Sequence, residues 1–176
     1  MAGAISRPEA VVVLDIGSCA TEAALVTGAK NHPGRIEATS RTDDLGSAGL
    51  DRALARHVLE QVRGHLPAED LPDPVNRAIV EDVITACGRA REDLIRHPST
   101  IVHVQLPAAR VPVRIVRAEF DTLAHEPIRA ALRAIADLMD HARKNHIAVD
   151  TILLTGEIAR TPLLTELISA PGPPAS

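Results

Sequence analysis

The chain has 176 residues, 45% of them hydrophobic and 24% charged, with a formal net charge of −4. A chain of this size can bury a core without disulfides or metals, and its composition excludes wholesale disorder. The weak negative charge and the single aromatic residue, Phe120, argue against nucleic-acid and anionic-membrane partners. Two cysteines, Cys19 and Cys87, are too few for a disulfide-rich secreted scaffold. No leader or membrane-spanning segment is visible, so we expect a cytoplasmic protein.

Hydrophobic patterns predict a mixed α/β chain in the order β-β-β-α-α-β-β-α-β-α. Ala10–Ile16 lacks polar alternation, which is typical of a strand buried on both faces, and a small-residue turn at Gly17–Ala20 leads into a hairpin. The predicted strands are Ala10–Ile16, Thr21–Val26, Arg35–Arg41, Ser99–Leu106, Val111–Arg117 and Asp150–Thr155, the last of them buried. The predicted helices are Leu50–His65, Val75–His97, Glu119 to about His146, and Thr161–Ile168.

The segments between these elements are predicted to be irregular. Asn31–Gly34 is typical of a turn and Asp43–Gly49 of a loop, and the three prolines of Leu66–Pro74 predict a linker. Ala170–Ser176 also contains three prolines and has no core residue, so we expect a flexible tail or linker there.

Two segments combine strand ends with residues that suit ligand binding. Asp15 ends the first strand and is followed by a turn of small residues, whose backbone N–H groups can approach a phosphate while the carboxylate holds a hydrated cation. The last strand leads into a turn at Gly156, and the helix that follows has Arg160 and Pro162 near its N-terminus. Taken alone, the Asp15 segment is equally typical of an ordinary turn, and the Gly156 segment is more typical of an ordinary loop between a strand and a helix. The eight histidines show no metal-ligand spacing, so we expect no metal ligands. We assign no catalytic residue.

Taken in order, five stretches resemble the second lobe of the nucleotide-binding domain of the DnaK-like seventy-kilodalton heat-shock chaperones, in the actin-like ATPase superfamily. The stretches are Asp15-Ile-Gly-Ser-Cys-Ala20, Leu45-Gly-Ser-Ala-Gly-Leu-Asp51, Ala86-Cys-Gly-Arg-Ala-Arg-Glu-Asp-Leu94, Ile115-Val-Arg-Ala-Glu-Phe-Asp-Thr-Leu123 and Thr155-Gly-Glu-Ile-Ala-Arg-Thr-Pro162. The resemblance implies an actin-like, ribonuclease H-like α/β lobe in which a mixed sheet is flanked by helices. Its core is expected at 10–45 and 117–169, and an inserted α+β subdomain at 46–116.

The resemblance also implies roles for individual residues. Asp15, Gly17 and Ser18 match the motif that contacts the β- and γ-phosphates and positions magnesium through water. Arg91 keeps a cation on the helix that sandwiches adenine, where a guanidinium can stack on the base. Gly156, with Arg160, matches the turn that packs on the adenosine. The implied cofactor is therefore ATP or ADP with magnesium.

Several positions depart from the family pattern. The triple glycine of the first motif is Gly17-Ser-Cys19, which reduces the backbone's freedom to approach phosphate. The family's glutamate on the adenine helix is Gly88, a basic residue is replaced by Glu92, and a glycine of the last motif is Glu157. Each change is expected to weaken nucleotide binding.

No stretch of this chain resembles the first lobe of the family's nucleotide-binding domain. We therefore expect the first lobe of the same protein to be a partner. The Met-Ala-Gly start and proline-rich end favour a piece of a longer protein. Because phosphoryl transfer needs groups from both sides of the nucleotide, we expect no ATP hydrolysis by this chain alone. The preferred hypothesis is a nucleotide-gated chaperone element whose insert at 46–116 binds an exchange factor or another protein. The alternatives are a pseudo-ATPase interaction module and, less favoured, a filament protein or sugar kinase of the same superfamily.

Overall fold

The computed structural model describes residues 9–28, 34–43, 46–65 and 73–169. The strands are β1 (Glu9–Ile16), β2 (Thr21–Gly28), β3 (Arg35–Thr42), β4 (Ser99–Gln105), β5 (Arg110–Val116) and β6 (Val149–Gly156). The helices are α1 (Ser47–Val62), α2 (Asp73–Arg96), α3 (Arg117–Lys144) and α4 (Pro162–Ser169), and a short 3-10 helix (Arg63–His65) follows α1. The predicted order of elements and the mixed α/β class are confirmed.

The chain divides into two compact units. The sheet unit comprises the described residues within Met1–Gly46, Pro127–Arg160 and Leu164–Ser176, and the hairpin unit comprises those within Ser47–Glu126 and Thr161–Leu163. The sequence predicted an inserted subdomain at 46–116, whereas the hairpin unit continues into the first part of α3.

The sheet unit is built on four strands in the order β3-β2-β1-β6. β1 pairs antiparallel with β2 and parallel with β6, so β1 is a central strand. Alternate β1 residues, Val12, Leu14 and Ile16, are almost completely buried, and their neighbours Val11 and Val13 are half-buried. The side chains of this β-branched run therefore alternate between a fully covered face and a partly covered face of the sheet.

The hairpin unit combines α1 and α2 with the two-stranded sheet β4-β5. α1 packs on α2, and α2 packs on β4. The buried side chains recur at helical spacing on both helices, as Leu54 and Val58 on α1 and Val83 and Cys87 on α2 show. One face of the β-hairpin is buried and the other is exposed, which is the alternation expected of an antiparallel pair with one solvated face.

The structure also corrects the predictions for β6, α1 and α3. β6 is not a buried strand: Ile152 is 37% and Leu153 is 52% exposed. An apolar run in the sequence indicates hydrophobicity, but it does not indicate how many layers of structure cover the strand. Among the described residues, β1 is the only strand that pairs with β6. α1 begins at Ser47, inside the predicted loop. The predictions for 31–33, 44–45, 66–72 and 170–176 lie outside the described residues.

α3 also begins two residues earlier than predicted, at Arg117. The backbone N–H of Val116 donates to Oε2 of Glu119 at 2.8 Å, which satisfies a donor at the helix N-terminus. Because of this capping contact, Arg117 is the first residue of α3, whereas the sequence predicted it as the last residue of a strand.

Candidate functional site

The ends of β1 and β6 lie side by side in the sheet unit. Because the two strands are parallel, their carboxyl ends meet at one edge of the sheet. The register pairs Asp15 with Thr155 and Ile16 with Gly156. Two stretches separated by about 140 residues of sequence therefore meet at a single edge.

The turn after β1 is held by its own backbone and by a neighbouring glycine. The N–H of Gly17 donates to the carbonyl of Ala20 at 3.0 Å, and Ser18 and Cys19 are exposed at the tip. A Cβ added at Gly46 would overlap the backbone of Ser18 and Cys19. Only glycine allows the chain entering α1 to pass this close to the turn.

Gly156 is required by both conformation and space. Its φ is +93°, a value that L side chains rarely adopt. A Cβ there would overlap the carbonyl of Ile16 on the paired strand. The strand-to-helix turn after β6 therefore requires glycine at position 156.

Charged groups lie on the sheet face that carries Asp15. Asp15 is exposed and stands opposite Glu22 in the β1–β2 register. Arg41 on β3 forms ion pairs with Glu22 and with Asp43, the latter at 3.0 Å. The carboxylates of Asp43 and then Glu22 raise the pKa of Arg41 above its ordinary value.

These groups border a groove on the sheet unit. The groove has a volume of about 420 Å³ and opens on the less covered face of the sheet. It is lined by Val13, Asp15, Glu22, Ala23, Ala24, Ile36, Thr39, Ser40 and Arg41. Its charged end is acidic, since two carboxylates and one guanidinium face it.

Arg91 lies in the hairpin unit, on α2, and its Nε donates to Oδ1 of Asp51 on α1 at 2.8 Å. The Arg91 side chain is 3% exposed and that of Asp51 is 14% exposed. A Cβ at Gly88 would lie only 3.2 Å from Oδ2 of Asp51, so a glycine at that position leaves room for the carboxylate. The guanidinium is therefore held between the two helices and offers little surface for stacking.

Cys87 adjoins this ion pair and is fully buried. Burial, together with the charge of Asp51, raises the pKa of the Cys87 thiol to about 12. A thiol with so high a pKa is almost never a thiolate at neutral pH, which agrees with the prediction that Cys87 is a small core residue.

The comparisons with known proteins place the chain in a family. Residues 4–171 match the family described as "Hsp70 protein". This chain belongs to the Hsp70 family. It is 22% identical over 166 residues to the chaperone protein dnaK3 of Synechococcus elongatus, covering 91% of this chain and 22% of that protein. It is also 22% identical over 170 residues to the chaperone protein DnaK of Mycoplasmoides gallisepticum, covering 93% of this chain and 28% of that protein.

The Hsp70 match supports the prediction of an actin-like ATPase fold, and that fold class is confirmed. The chain spans only about a quarter of the length of these DnaK relatives. Across the described residues, no helix is both long enough and apolar enough to cross a bilayer.

Five of the six residues predicted to bind nucleotide lie in the sheet unit of this Hsp70-family chain. Asp15, Gly17 and Ser18 border the edge where Gly156 ends β6, and Arg160 is exposed in the turn that follows. Arg91 belongs to the hairpin unit and is engaged by Asp51.

Sequence reasoning missed Gly46 as part of the site. The Leu45-Gly46 pair carries a signal, because it belongs to one of the five family-like stretches, but the local pattern predicts only a loop at that point. Its role depends on the backbone of Ser18 and Cys19, about 27 residues earlier in the chain, and so becomes visible only in three dimensions.

The residues present suit a water-mediated magnesium contact better than a direct one. In the described part of the chain, no three His, Cys, Asp or Glu side chains come together in a way that could hold a metal ion. A single exposed carboxylate such as Asp15 fits a cation that keeps most of its water, as magnesium does.

Proposed function

We propose that this chain is the second lobe of an Hsp70 nucleotide-binding domain and binds ATP or ADP with magnesium together with a first lobe. The observation that carries the proposal is the meeting of the β1 turn with Gly156 at one sheet edge. Two independent glycine requirements, at Gly46 and Gly156, keep backbone close to backbone at this edge. Phosphate-binding turns depend on such close backbone approach.

The residues at this edge would have distinct roles. Asp15 would hold magnesium through water, and the Ser18 hydroxyl would donate to a phosphate oxygen. The Gly156 turn would pack on the adenosine, with Arg160 beside it as a cation. ATP or ADP would bridge the two lobes and set their angle of closure, and that angle would regulate the rest of the protein.

Two features support a weak site. The Gly17 N–H already donates to Ala20, so it has no proton to offer a phosphate. Glu157 adds a carboxylate beside Gly156, which opposes an anionic ligand. We therefore propose nucleotide binding that drives a conformational change, without appreciable ATP hydrolysis by the chain alone. Steady-state phosphate release with magnesium and ATP tests this; turnover matching that of a complete chaperone would contradict it.

Calorimetric titration of a two-lobe form with Mg-ADP tests the binding proposal. We expect micromolar, magnesium-dependent binding that weakens at least tenfold in Asp15→Ala, because the variant loses a charge-assisted contact. Asp137→Ala on the exposed face of α3 is the matched control and should bind as the unmodified protein does. Equal binding by both variants, or binding that needs no magnesium, would contradict the roles proposed here.

A second function is favoured by the Asp51–Arg91 pair. A guanidinium that is 3% exposed and ion-paired is a stabilising contact between helices, and the glutamate of the family pattern is Gly88. A pseudo-ATPase that keeps the fold as a protein-binding module would show these features. Absence of binding at millimolar nucleotide, in a two-lobe form shown to be folded, would favour this second function.

We also propose that the insert at 46–116 binds an exchange factor or another protein. Support comes from the groove of about 380 Å³ on the hairpin unit, which α1 and α2 both line, and from Val80, which is 39% exposed there. An exchange factor taken from a DnaK system should accelerate Mg-ADP release, and Val80→Glu should reduce that acceleration. The cytoplasmic location expected from the sequence stays a prediction.

A further inference from the structure

The outward face of the β4–β5 hairpin is basic, although the chain as a whole is acidic. Residues 99–116 contain no Asp or Glu. The outward side chains form three cross-strand pairs, which are Ile101–Arg114, His103–Pro112 and Gln105–Arg110. All six are exposed, and Ile101 is 57% exposed. We call these six residues the hairpin face.

Within the described part of the chain, neither arginine of the hairpin face forms an ion pair with a carboxylate, although the charge of Arg114 contributes to the lowered pKa of Glu119. The one hydrogen bond from either guanidinium joins Arg114 to the Ser99 hydroxyl at 3.3 Å. Some other exposed arginines do form such pairs, as Arg41 does with Asp43 and Arg143 with Asp140. The hairpin face therefore has positive charge available to an external anionic group.

The backbone pattern argues against strand addition at β5. Arg117 N–H donates to the Pro98 carbonyl, and Leu106 N–H donates to the Ala109 carbonyl. Since hydrogen-bonded pairs alternate along an antiparallel ladder, the three pairs of the hairpin face are the non-hydrogen-bonded ones. The backbone of Pro112 thus faces the outer edge of β5, where proline offers no N–H donor. A partner or a second copy would therefore engage side chains and not this edge.

The spacing of the arginines fits an extended polypeptide. Arg110 and Arg114 are four residues apart on one strand, which places their Cα atoms roughly 13 Å apart on the same face. Carboxylates four residues apart in an extended segment have the same spacing. Pro112 lies between the two arginines on β5, and Ile101 lies opposite Arg114 on β4. Both offer apolar contacts to the side chains that lie between the two carboxylates of such a segment.

We propose that the hairpin face binds an extended acidic segment of a partner protein whose Asp or Glu residues lie four positions apart. Charge complementarity and spacing carry the proposal, which is independent of nucleotide binding. Nucleic acid fits poorly, because the only aromatic side chain, Phe120, is 2% exposed and cannot stack on bases. An anionic membrane fits poorly too, since polybasic membrane sites use about four to eight cations.

The test is fluorescence anisotropy with the full chain at low salt. The probe is a labelled twelve-residue Thr/Val-rich peptide carrying two Glu residues four positions apart, and its isomer has the two Glu residues adjacent. We expect the spaced peptide to bind about fivefold more tightly than its isomer. Arg110→Gln with Arg114→Gln should weaken the spaced peptide about tenfold. Circular dichroism checks that this variant remains folded, as we expect when glutamine replaces two exposed arginines.

The control removes the same charge from another face. Arg129→Gln with Arg133→Gln on the exposed side of α3 should leave peptide binding unchanged. Equal weakening in both variants would show a net-charge effect and overturn the proposal. So would equal affinity for the two peptides, no detectable binding of the spaced peptide, or tighter arginine-dependent binding of single-stranded DNA or phosphatidylserine vesicles.

Discussion

The turn after β1 and the contact between α1 and α2 both match motifs of the Hsp70 family, but they are held together in different ways. The turn depends on backbone geometry, since Gly46 and Gly156 permit approaches that no side chain would allow. The helix contact depends on side-chain charge, since Asp51 and Arg91 form an ion pair in a site that is largely buried.

The difference teaches which motif positions can change without loss of the fold. At the turn, Ser18 and Cys19 stand exposed where the resemblance implies glycines, and the close backbone contacts are present. At the helix contact, Gly88 stands where the resemblance implies a glutamate, and it leaves space that the Asp51 carboxylate occupies. The turn therefore depends on its backbone, whereas the helix contact depends on charged side chains that differ from the pattern the resemblance implies.

The largest expected effect comes from filling the Gly156 position. Gly156→Val should reduce the free energy of unfolding by at least about 3 kcal/mol, because it combines a positive φ with overlap against Ile16. Urea denaturation measures the change. Gly49→Ala, near the start of α1 with nothing close to its added Cβ, is the control and should stabilise by up to about 1 kcal/mol. Similar midpoints for the two variants would show that the turn does not need its glycine.

Breaking the buried ion pair should have the next largest effect. Asp51→Asn should cost about 3 kcal/mol in unfolding free energy, because it removes the charge of the carboxylate that is paired with a 3% exposed guanidinium. Combining Asp51→Leu with Arg91→Met should recover most of that loss, since an apolar pair carries no desolvation penalty. Glu60→Gln, which breaks the exposed pair with Arg63, should cost less than about 0.5 kcal/mol. If the double variant lost as much unfolding free energy as the two single substitutions together, Asp51 and Arg91 would not be energetically coupled.

A smaller and pH-dependent effect is expected at Glu119. The Val116 N–H and, secondarily, His57 lower the pKa of Glu119 below its ordinary value of 4.5. A lowered carboxyl pKa stabilises the fold above the ordinary value, and this contribution disappears as the pH falls through the lowered one. Glu119→Gln should therefore be less stable at pH 7, by less than about 1 kcal/mol, and the deficit should shrink below pH 4.5.

Urea denaturation between pH 7 and pH 3 follows this deficit. Glu166→Gln, at an exposed position on α4, is the control and should show no such change with pH. A deficit for Glu119→Gln that stays constant over the whole range would contradict the capping role of the carboxylate.

The smallest effect on stability is expected at Cys19, and the two cysteines report on the two regions separately. Cys19 is exposed in the turn, and Cys87 is buried with a pKa of about 12. At pH 8 a chromogenic disulfide reagent should label one thiol per folded chain, and Cys19→Ser should remove that reaction without a measurable change in stability. Cys87→Ala should leave the fast reaction intact. Rapid labelling of two thiols would mean that the helix contact opens readily.

Much of the fold could be predicted from periodicity alone. The order of all ten elements, the turn after β1 and the burial of Cys87 follow from local patterns of apolar, small and polar residues. The start of α3 could not be predicted in this way, because it depends on a capping contact that only geometry reveals. The exposure of β6 depends on how many layers cover a strand, and its sequence carries no information about that number.

The sequence by itself determined the elements and the positions of Asp15 and Gly156, because strand and turn preferences act over a few residues. Only the tertiary structure decided that these two residues share one sheet edge, that Gly46 closes on the turn and that Arg91 pairs with Asp51. Those relations join residues that are 27 to about 140 positions apart, and they arise from packing and charge pairing that no local pattern encodes.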